Sequence, residues 1–339
     1  MHDMRIIPGH VVLDVLRRRG AGIVDLVADT YLLHGRKETI NPDSYFLRFP
    51  DNELNRIIAL PSALLDENPV SGIKWIASYP GNVRDGLPRA SAVIILNDAR
   101  TGFPTACIEG SQISALRTAA SAVLGADRLR APDRPYRSIG VIGAGIIARN
   151  ILETYKLHSG TVDEVLVHDL DEASRHSLSA FVRDTLEMPS RTVDTIAEVF
   201  AADLVVLATS AGKPYIEDRS LLRPGQVVLN ISLRDLSPEI ILDNWNIVDD
   251  VQHCLKANTS PHLAAQKAGN HDFVAGTIAD LLLGRIEPDR SKASIFSPFG
   301  LGVLDLALAR VVLAESDWYS GTLTVADFFP ELRRWESVA

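Results

Sequence analysis

The most constraining feature of this chain is a glycine pattern set between two segments of opposite character. Gly143-x-Gly145-x-x-Ala148 follows the apolar run Ser138–Ile142 and opens the amphipathic segment Ile146–Leu157. In a strand–turn–helix the first glycine permits the tight turn and the second lets backbone approach a pyrophosphate. The small third residue allows close helix packing, and the helix N-terminus supplies amides and dipole. Asp169 stands at the end of Val165-Leu166-Val167-His168-Asp169, 21 residues after Ala148. A carboxylate there accepts from ribose hydroxyls and repels a 2′-phosphate. Asp171 is the neighbouring alternative. The pattern reads as a dinucleotide site favouring NAD over NADP, and the glycines alone would also suit a flavin.

The sequence beyond it repeats the same alternation. Glu164–His168, Leu204–Thr209, Val227–Ile231 and Asn246–Val248 read as buried strands, with Glu172–Thr185 and Thr195–Ala201 as helices among them. Such alternation builds a parallel sheet wound by helices. The first 130 residues differ. Tyr45–Phe49, Ile57–Leu60, Gly72–Ser78 and Ala92–Asn97 are strand-like pieces with little helix between them, the texture of an antiparallel α+β unit. Residues 113–124 read as an Ala-rich helix with Ser111 as its N-cap, and the two prolines of Arg130–Pro135 mark a boundary. A last helix, Val303–Ala314, is placed to pack back on the first unit. The expected fold class is α/β, a Rossmann-type doubly wound parallel sheet over 131–303. It is inserted into a discontinuous α+β domain formed by 1–130 plus 304–339.

Composition excludes several function classes. Lys+Arg total 34 against 43 Asp+Glu, a net charge of -9, which argues against a nucleic-acid partner. No run approaches the ~18 apolar residues of a membrane helix, and the segment after Met1-His2-Asp3-Met4-Arg5 lacks a signal-peptide core. Cys107 and Cys254 show no CxxC spacing and fit buried thiols in a reducing, cytoplasmic setting. His253, His262 and His271 match no usual ligand spacing, so no metal is expected.

Cations in apolar or small-residue contexts point to the substrate. Arg48, Lys74, Arg89 and Arg117 each sit in such a setting. Singly, each can snorkel to water; several in one domain fit an anionic ligand held by bidentate pairs. Thr209-Ser210 and Ser232-Leu233-Arg234-Asp235 end two later strands, where ligands of open α/β sheets bind. Asp235 by position alone reads equally as a solvated loop acid.

Over Asn41 to Ala309 the chain resembles the ornithine cyclodeaminase/mu-crystallin family. The resemblance rests on Gly72-Ile73-Lys74, Pro80-Gly81-Asn82, Thr101-Gly102-Phe103-Pro104, Arg117-Thr118-Ala119-Ala120, the Gly143 fingerprint and Phe299-Gly300. Ser44–Pro50, Lys74–Asn82, Pro88-Arg89-Ala90-Ser91-Ala92 and Ser297–Gly300 are most similar to the branch that makes L-2,3-diaminopropionate for siderophores and peptide antibiotics. That resemblance implies NAD-dependent oxidative hydrolysis of N-(2-amino-2-carboxyethyl)-L-glutamate to diaminopropionate and 2-oxoglutarate. It further implies a pyridoxal-phosphate-dependent synthase upstream, and a homodimer formed through the first, substrate-binding domain.

By matching position, the resemblance implies that Arg48, Lys74, Arg117 and Phe299 bind substrate. Asp235, with Lys74, carries the chemistry. Ser91, Arg117, Thr118, Gly143, Gly145, Ile146, Ile147, Asp169, Thr209, Ser232 and Leu233 meet NAD. Cyclodeaminases carry a Gly-rich run before the catalytic Asp and a Lys four residues after it; Leu233-Arg234 and Glu239 stand there instead. An ornithine or lysine cyclodeaminase, an imine reductase or alanine dehydrogenase, and a non-catalytic mu-crystallin-like binding protein are the alternatives.

Overall fold

The computed structural model describes residues 2–329 and divides the chain into two compact units. Unit 1 takes Met1–Gly20, Arg36–Ser114 and Gly302–Ala339; unit 2 takes Ala21–Gly35 and Ala115–Leu301. Met1 and 330–339, part of the discontinuous domain expected above, lie outside the described residues.

Unit 1 is built on a mixed sheet of eight strands. They are β1 (His2–Ile7), β2 (Thr39–Ile40), β3 (Tyr45–Phe49), β4 (Asn52–Leu64), β5 (Val70–Ser78), β6 (Ala90–Asp98), β7 (Pro104–Glu109) and the last strand among the described residues, β16 (Leu323–Phe329). The order is β16-β1-β7-β6-β5-β4-β2, with β3 paired to β4. β3 to β7 pair antiparallel, and β1 joins β7 in parallel. Two helices belong to this unit, α1 (Gly9–Arg19) and α11 (Gly302–Glu315). α11 packs across β4 to β7 and is buried from Gly302 to Ala309, because Leu60, Leu64, Ile94, Leu96 and Ile108 line the sheet face beneath it. The opposite face places Tyr45, Ala59, Trp75 and Val93 in one register row. It stays exposed, Trp75 by 42% and Val93 by 38%.

Unit 2 is an eight-stranded parallel sheet: β8 (Ser138–Ile142), β9 (Glu164–His168), β10 (Ser190–Thr192), β11 (Leu204–Leu207), β12 (Val227–Asn230), β13 (Trp245–Val248), β14 (Val274–Thr277) and β15 (Ser294–Ser297). The order β10-β9-β8-β11-β12-β15-β13-β14 reverses direction between β8 and β11. That reversal is the switch point outside which ligands of such sheets bind. Helices of this unit are α2 (Gly22–Gly35), α4 (Ile146–Ser159), α5 (Glu172–Asp184), α6 (Ile196–Phe200), α7 (Pro238–Asp243), α8 (Val251–Cys254), α9 (Ser260–Ala268) and α10 (Ile278–Leu282). α3 (Ser111–Leu129) begins in unit 1 and belongs to unit 2 from Ala115. β11 and β12 are buried at every residue, as strands covered on both faces require.

The fold is the α/β, Rossmann-type class expected, with three local differences. The units divide after 114 and 301, with α2 joining unit 2, and not at 130 and 303. The Tyr31 hydroxyl bonds Ser121 Oγ at 2.7 Å, Tyr136 Oη donates to the Ala126 carbonyl at 2.7 Å, and Phe296 packs on Gly125. These contacts tie α2 and the end of α3 to the parallel sheet. Ser111 is the first helical residue, and the Glu109 carboxylate accepts its N–H and that of Gln112, doing the work expected of a Ser111 cap. Finally, α1 adds helix to the first unit; its Val11, Val12, Val15 and Leu16 are the buried stripe.

Candidate active site

The glycine turn has the geometry its spacing implies. Gly143 has φ +95°, and a Cβ there would stand 2.5 Å from the Ala208 carbonyl oxygen, so only glycine fits. Gly145 is the N-cap of α4 and makes no side-chain cap bond; a Cβ on it would meet nothing within 4 Å. The first-turn amides of α4 therefore face open space beside exposed Ile146, with Ile147 half-buried. At the end of β9, Asp169 is fixed by two amides: Oδ2 accepts from Ala144 N–H at 2.6 Å and Oδ1 from Asp171 N–H at 2.8 Å. Asp171 caps α5 through Ser174 N–H, 2.8 Å, so the two acids divide between the glycine turn and the helix cap. An open cradle, uncapped amides and a fixed carboxylate fit a dinucleotide.

Beyond β11 and β12 lies the second element. Tyr215 and Ile216 N–H both donate to the Asp235 carbonyl, at 3.1 and 2.9 Å, which fixes the Asp235 backbone. Its side chain is fully buried. Oδ1 accepts from Thr209 Oγ1 at 2.5 Å, and Oδ2 has no hydrogen-bond partner. Burial pushes the Asp235 carboxyl up to about 6, against the opposing pull of Thr209, Tyr215 and Arg234. The Tyr215 phenol is pushed up too, by burial first and then by the Asp235 charge. Ser232 ties the two strand ends together, its N–H and Oγ both donating to the Leu207 carbonyl at 3.0 and 3.1 Å. Leu233, although not a glycine, adopts φ +69°. Ser260 N–H bonds its carbonyl at 2.6 Å, and Arg234 Nη2 holds the Ala257 carbonyl at 2.9 Å. A non-glycine residue held left-handed beside a buried acid is strain of the kind functional sites keep. Glu239 points away to an exposed ion pair with Lys267.

The Phe299-Gly300 turn is gripped from below. Asp249, fully buried, accepts Phe299 N–H at 2.9 Å and Gly300 N–H at 2.6 Å. Gly300 has φ +96°, and a Cβ would stand 2.6 Å from Arg117 Nη1, so the glycine makes room for the guanidinium. The Phe299 ring lies 6.5 Å from that of His253. His253 and His34 share the Asp250 carboxylate at 2.9 and 3.1 Å; burial works against them, and the bonds still hold that carboxyl well below the usual range. Thr118 is half-buried one residue on from Arg117.

The remaining expected residues lie in unit 1. Lys74 is buried, its Nζ donating to Asp305 Oδ2 at 2.6 Å and Ser114 Oγ at 3.2 Å. Arg48 lies with its guanidinium carbon 5.2 Å from the Phe46 ring. Ser91 is opposite Ala77 on β5, on the other sheet face from Lys74. Sequence reasoning missed Asp305, Asp249 and Tyr215. For Asp305 a signal existed: it is the lone acid in the apolar Leu301–Ala309 stretch, and a buried acid needs a partner. Among the described residues no group of His, Cys, Asp and Glu is arranged to hold a metal, and no helix is long and apolar enough to cross a membrane.

A model of the ornithine cyclodeaminase/mu-crystallin family matches residues 36–317. The chain belongs to that family. It is 28% identical to the N-((2S)-2-amino-2-carboxyethyl)-L-glutamate dehydrogenase of Staphylococcus aureus, over 86% of this chain and 89% of that protein. The Δ1-pyrroline-2-carboxylate reductase of Thermococcus litoralis, solved with NADH and L-proline, has the same fold (TM-score 0.86, 21% identity, 94% of this chain and 99% of that one). So does an archaeal alanine dehydrogenase dimer with bound NAD (TM-score 0.85, 24% identity, 96% of this chain and 100% of that one).

Proposed function

We infer that this member of the family is an NAD-dependent oxidoreductase of an amino-acid-derived amine, and propose N-(2-amino-2-carboxyethyl)-L-glutamate as its substrate. The observation that carries the reading is Asp235: a buried carboxyl with one oxygen on Thr209 and the other unpartnered, at the end of the sheet that carries the glycine turn. The relative in Staphylococcus aureus supports the choice of substrate. Balanced, the reaction turns the amine, NAD⁺ and water into 2-oxoglutarate, diaminopropionate, NADH and a proton.

The Gly143–Gly145 turn, the α4 amides and Asp169 would hold the pyrophosphate and ribose of NAD, with Thr209, Ser232 and Leu233 further along; bound NAD supplies the hydride acceptor. Arg48, Lys74 and Arg117 would hold substrate carboxylates, Asp305 fixing the Lys74 ammonium and Gly300 the place of Arg117. Loss of hydride from the glutamyl Cα leaves an imine. Asp235 Oδ2 takes a proton from the attacking water and returns it to the departing amine. The amine must be neutral to lose hydride, so a cationic pocket assists twice, by binding carboxylates and by disfavouring the ammonium.

A reaction joining a diaminopropionyl unit to glutamate must supply this substrate, chemistry suited to a pyridoxal-phosphate-dependent synthase. The product suits siderophore or peptide-antibiotic assembly in the cytoplasm. A second copy of the chain covers the outward face of Tyr45, Trp75 and Val93 in this reading; a contiguous apolar face is an association surface, and the archaeal alanine dehydrogenase is a dimer. Trp75→Glu should convert a dimer to monomer in light scattering, and a wild-type monomer would refute the pairing.

The test is NADH absorbance with purified enzyme, NAD and N-(2-amino-2-carboxyethyl)-L-glutamate, with ornithine in parallel. NADH appearing with 2-oxoglutarate supports the proposal. Ammonia and proline from ornithine without net NADH would replace it with cyclodeamination.

A further inference from the structure

Unit 1 carries more cations than the substrate-binding set named above. Arg48 on β3 stands directly opposite Arg56 on β4, Arg56 opposite Ser78 on β5, and Ser78 opposite Ala90 on β6. Residues in such a row share one face, with Cβ atoms about 4.5–5.5 Å apart, and like charges directly opposite are destabilising. Arg89, one residue before β6, turns its Nη1 onto Ser78 Oγ at 2.9 Å, which brings another guanidinium to the row. Ser78 follows Lys74 by four residues, so both lie on the same face. Along the strand they are ~13 Å apart.

The two ends of that stretch differ in compensation. Lys74 already holds the Asp305 carboxylate. No described residue forms an ion pair with Arg48 or Arg89, which have Phe46 and Ser78 as their partners. Both side chains reach solvent; the Arg89 guanidinium is half-covered where it meets Ser78, and that partial covering draws its pKa down with no carboxylate to oppose it. A guanidinium in that state has its fork available to a ligand carboxylate.

We propose that Arg89, with Arg48 across the sheet, forms a second carboxylate subsite. This subsite selects di- and tricarboxylate amines over the monocarboxylates that the remaining cations of the set would accept. The proposal deepens the reading above and rests on its assignment of unit 1 as the substrate domain. It makes Arg89 a specificity residue, absent from the set that family resemblance implies.

The experiment compares wild type, Arg89→Gln, Arg89→Lys and Arg48→Gln. N-(2-amino-2-carboxyethyl)-L-glutamate and its γ-amide are the substrates, and 2-oxoglutarate binding to NADH-loaded enzyme is followed by calorimetry. Arg89→Gln should raise KM for the tricarboxylate about 10- to 100-fold, the size of one charged hydrogen-bonded contact. It should leave kcat near wild type and change KM for the γ-amide less than about 3-fold. Arg89→Lys should recover part of the loss, keeping charge without the fork. Equal losses on both substrates, or unchanged 2-oxoglutarate affinity in Arg89→Gln, would overturn the subsite. If wild type oxidises neither substrate yet binds 2-oxoglutarate through Arg89, the substrate assignment falls and the subsite stands. If wild type binds no 2-oxoglutarate, the subsite falls.

Discussion

Unit 1 buries Asp305 completely and unit 2 buries Asp235, and these two acids are treated in opposite ways. In unit 1 Asp305 lies 2.6 Å from the Lys74 ammonium, both groups out of solvent. In unit 2 Asp235 has the neutral Thr209 hydroxyl on one oxygen, the Tyr215 phenol as a further polar neighbour, and no ion pair among the described residues. A buried charge with its counter-ion is architecture, since removing either member strands the other. A buried charge without one is held in a high-energy state that a proton can relieve, which is what a general base near neutral pH requires.

The largest expected effect tests Asp235 as that base. Asp235→Asn should lower turnover about 10²–10⁴-fold while NAD binding, followed by fluorescence quenching, persists. Turnover within a factor of two of wild type would remove the base from the mechanism. On the other side, Asp305→Ala should cost about 3–5 kcal/mol by stranding the Lys74 ammonium, measured as a fall in the denaturation midpoint. The double replacement Lys74→Met with Asp305→Leu should restore much of that stability, because an apolar pair of similar volume suits the site.

Next comes pH. Asp235 rises from 3.8 to about 6 on folding, so between those values the folded state holds more protons than the unfolded one. Stability then falls as pH rises through that window. At pH 7 the cost is roughly 3 kcal/mol at most, from 1.36 kcal/mol per pKa unit. Asp235→Asn should be the more stable protein at pH 7 in urea melts and lose that advantage at pH 4. Wild-type turnover should climb through pH 6 as the base form fills; a flat profile there would erase the contrast between the two acids. The smallest effect is local: Asp171→Ala should cost about 1 kcal/mol as a lost cap of α5 and leave NAD affinity unchanged.

The legible parts of the molecule were those fixed by local chemistry. The Gly143 turn, Asp169 and the apolar runs of β8, β9, β11 and β12 follow from spacing alone, because parallel strands and tight turns tolerate few residues. Arg48, Lys74 and Arg117 stood out as cations in apolar contexts, yet nothing local pairs Lys74 with Asp305, 231 positions away. Asp235 read equally as a loop acid because its meaning depends on burial, which the backbone pairing to Tyr215 and Ile216 supplies. The unit boundary escaped for a similar reason: prolines at 132 and 135 mark where a helix stops, and Tyr31, Ser121 and Phe296 decide which core it joins.

The last strand returns to the first. β16 pairs antiparallel with β1, His2 opposite Phe329, and β1 also lies along β7. During synthesis the middle of the chain, which holds every strand of the parallel sheet, emerges before β16 exists. Until β16 is made, β1 presents a bare strand edge, the kind that recruits neighbouring chains. The sheet that bears the cations is thus closed only after every strand of the parallel sheet has emerged.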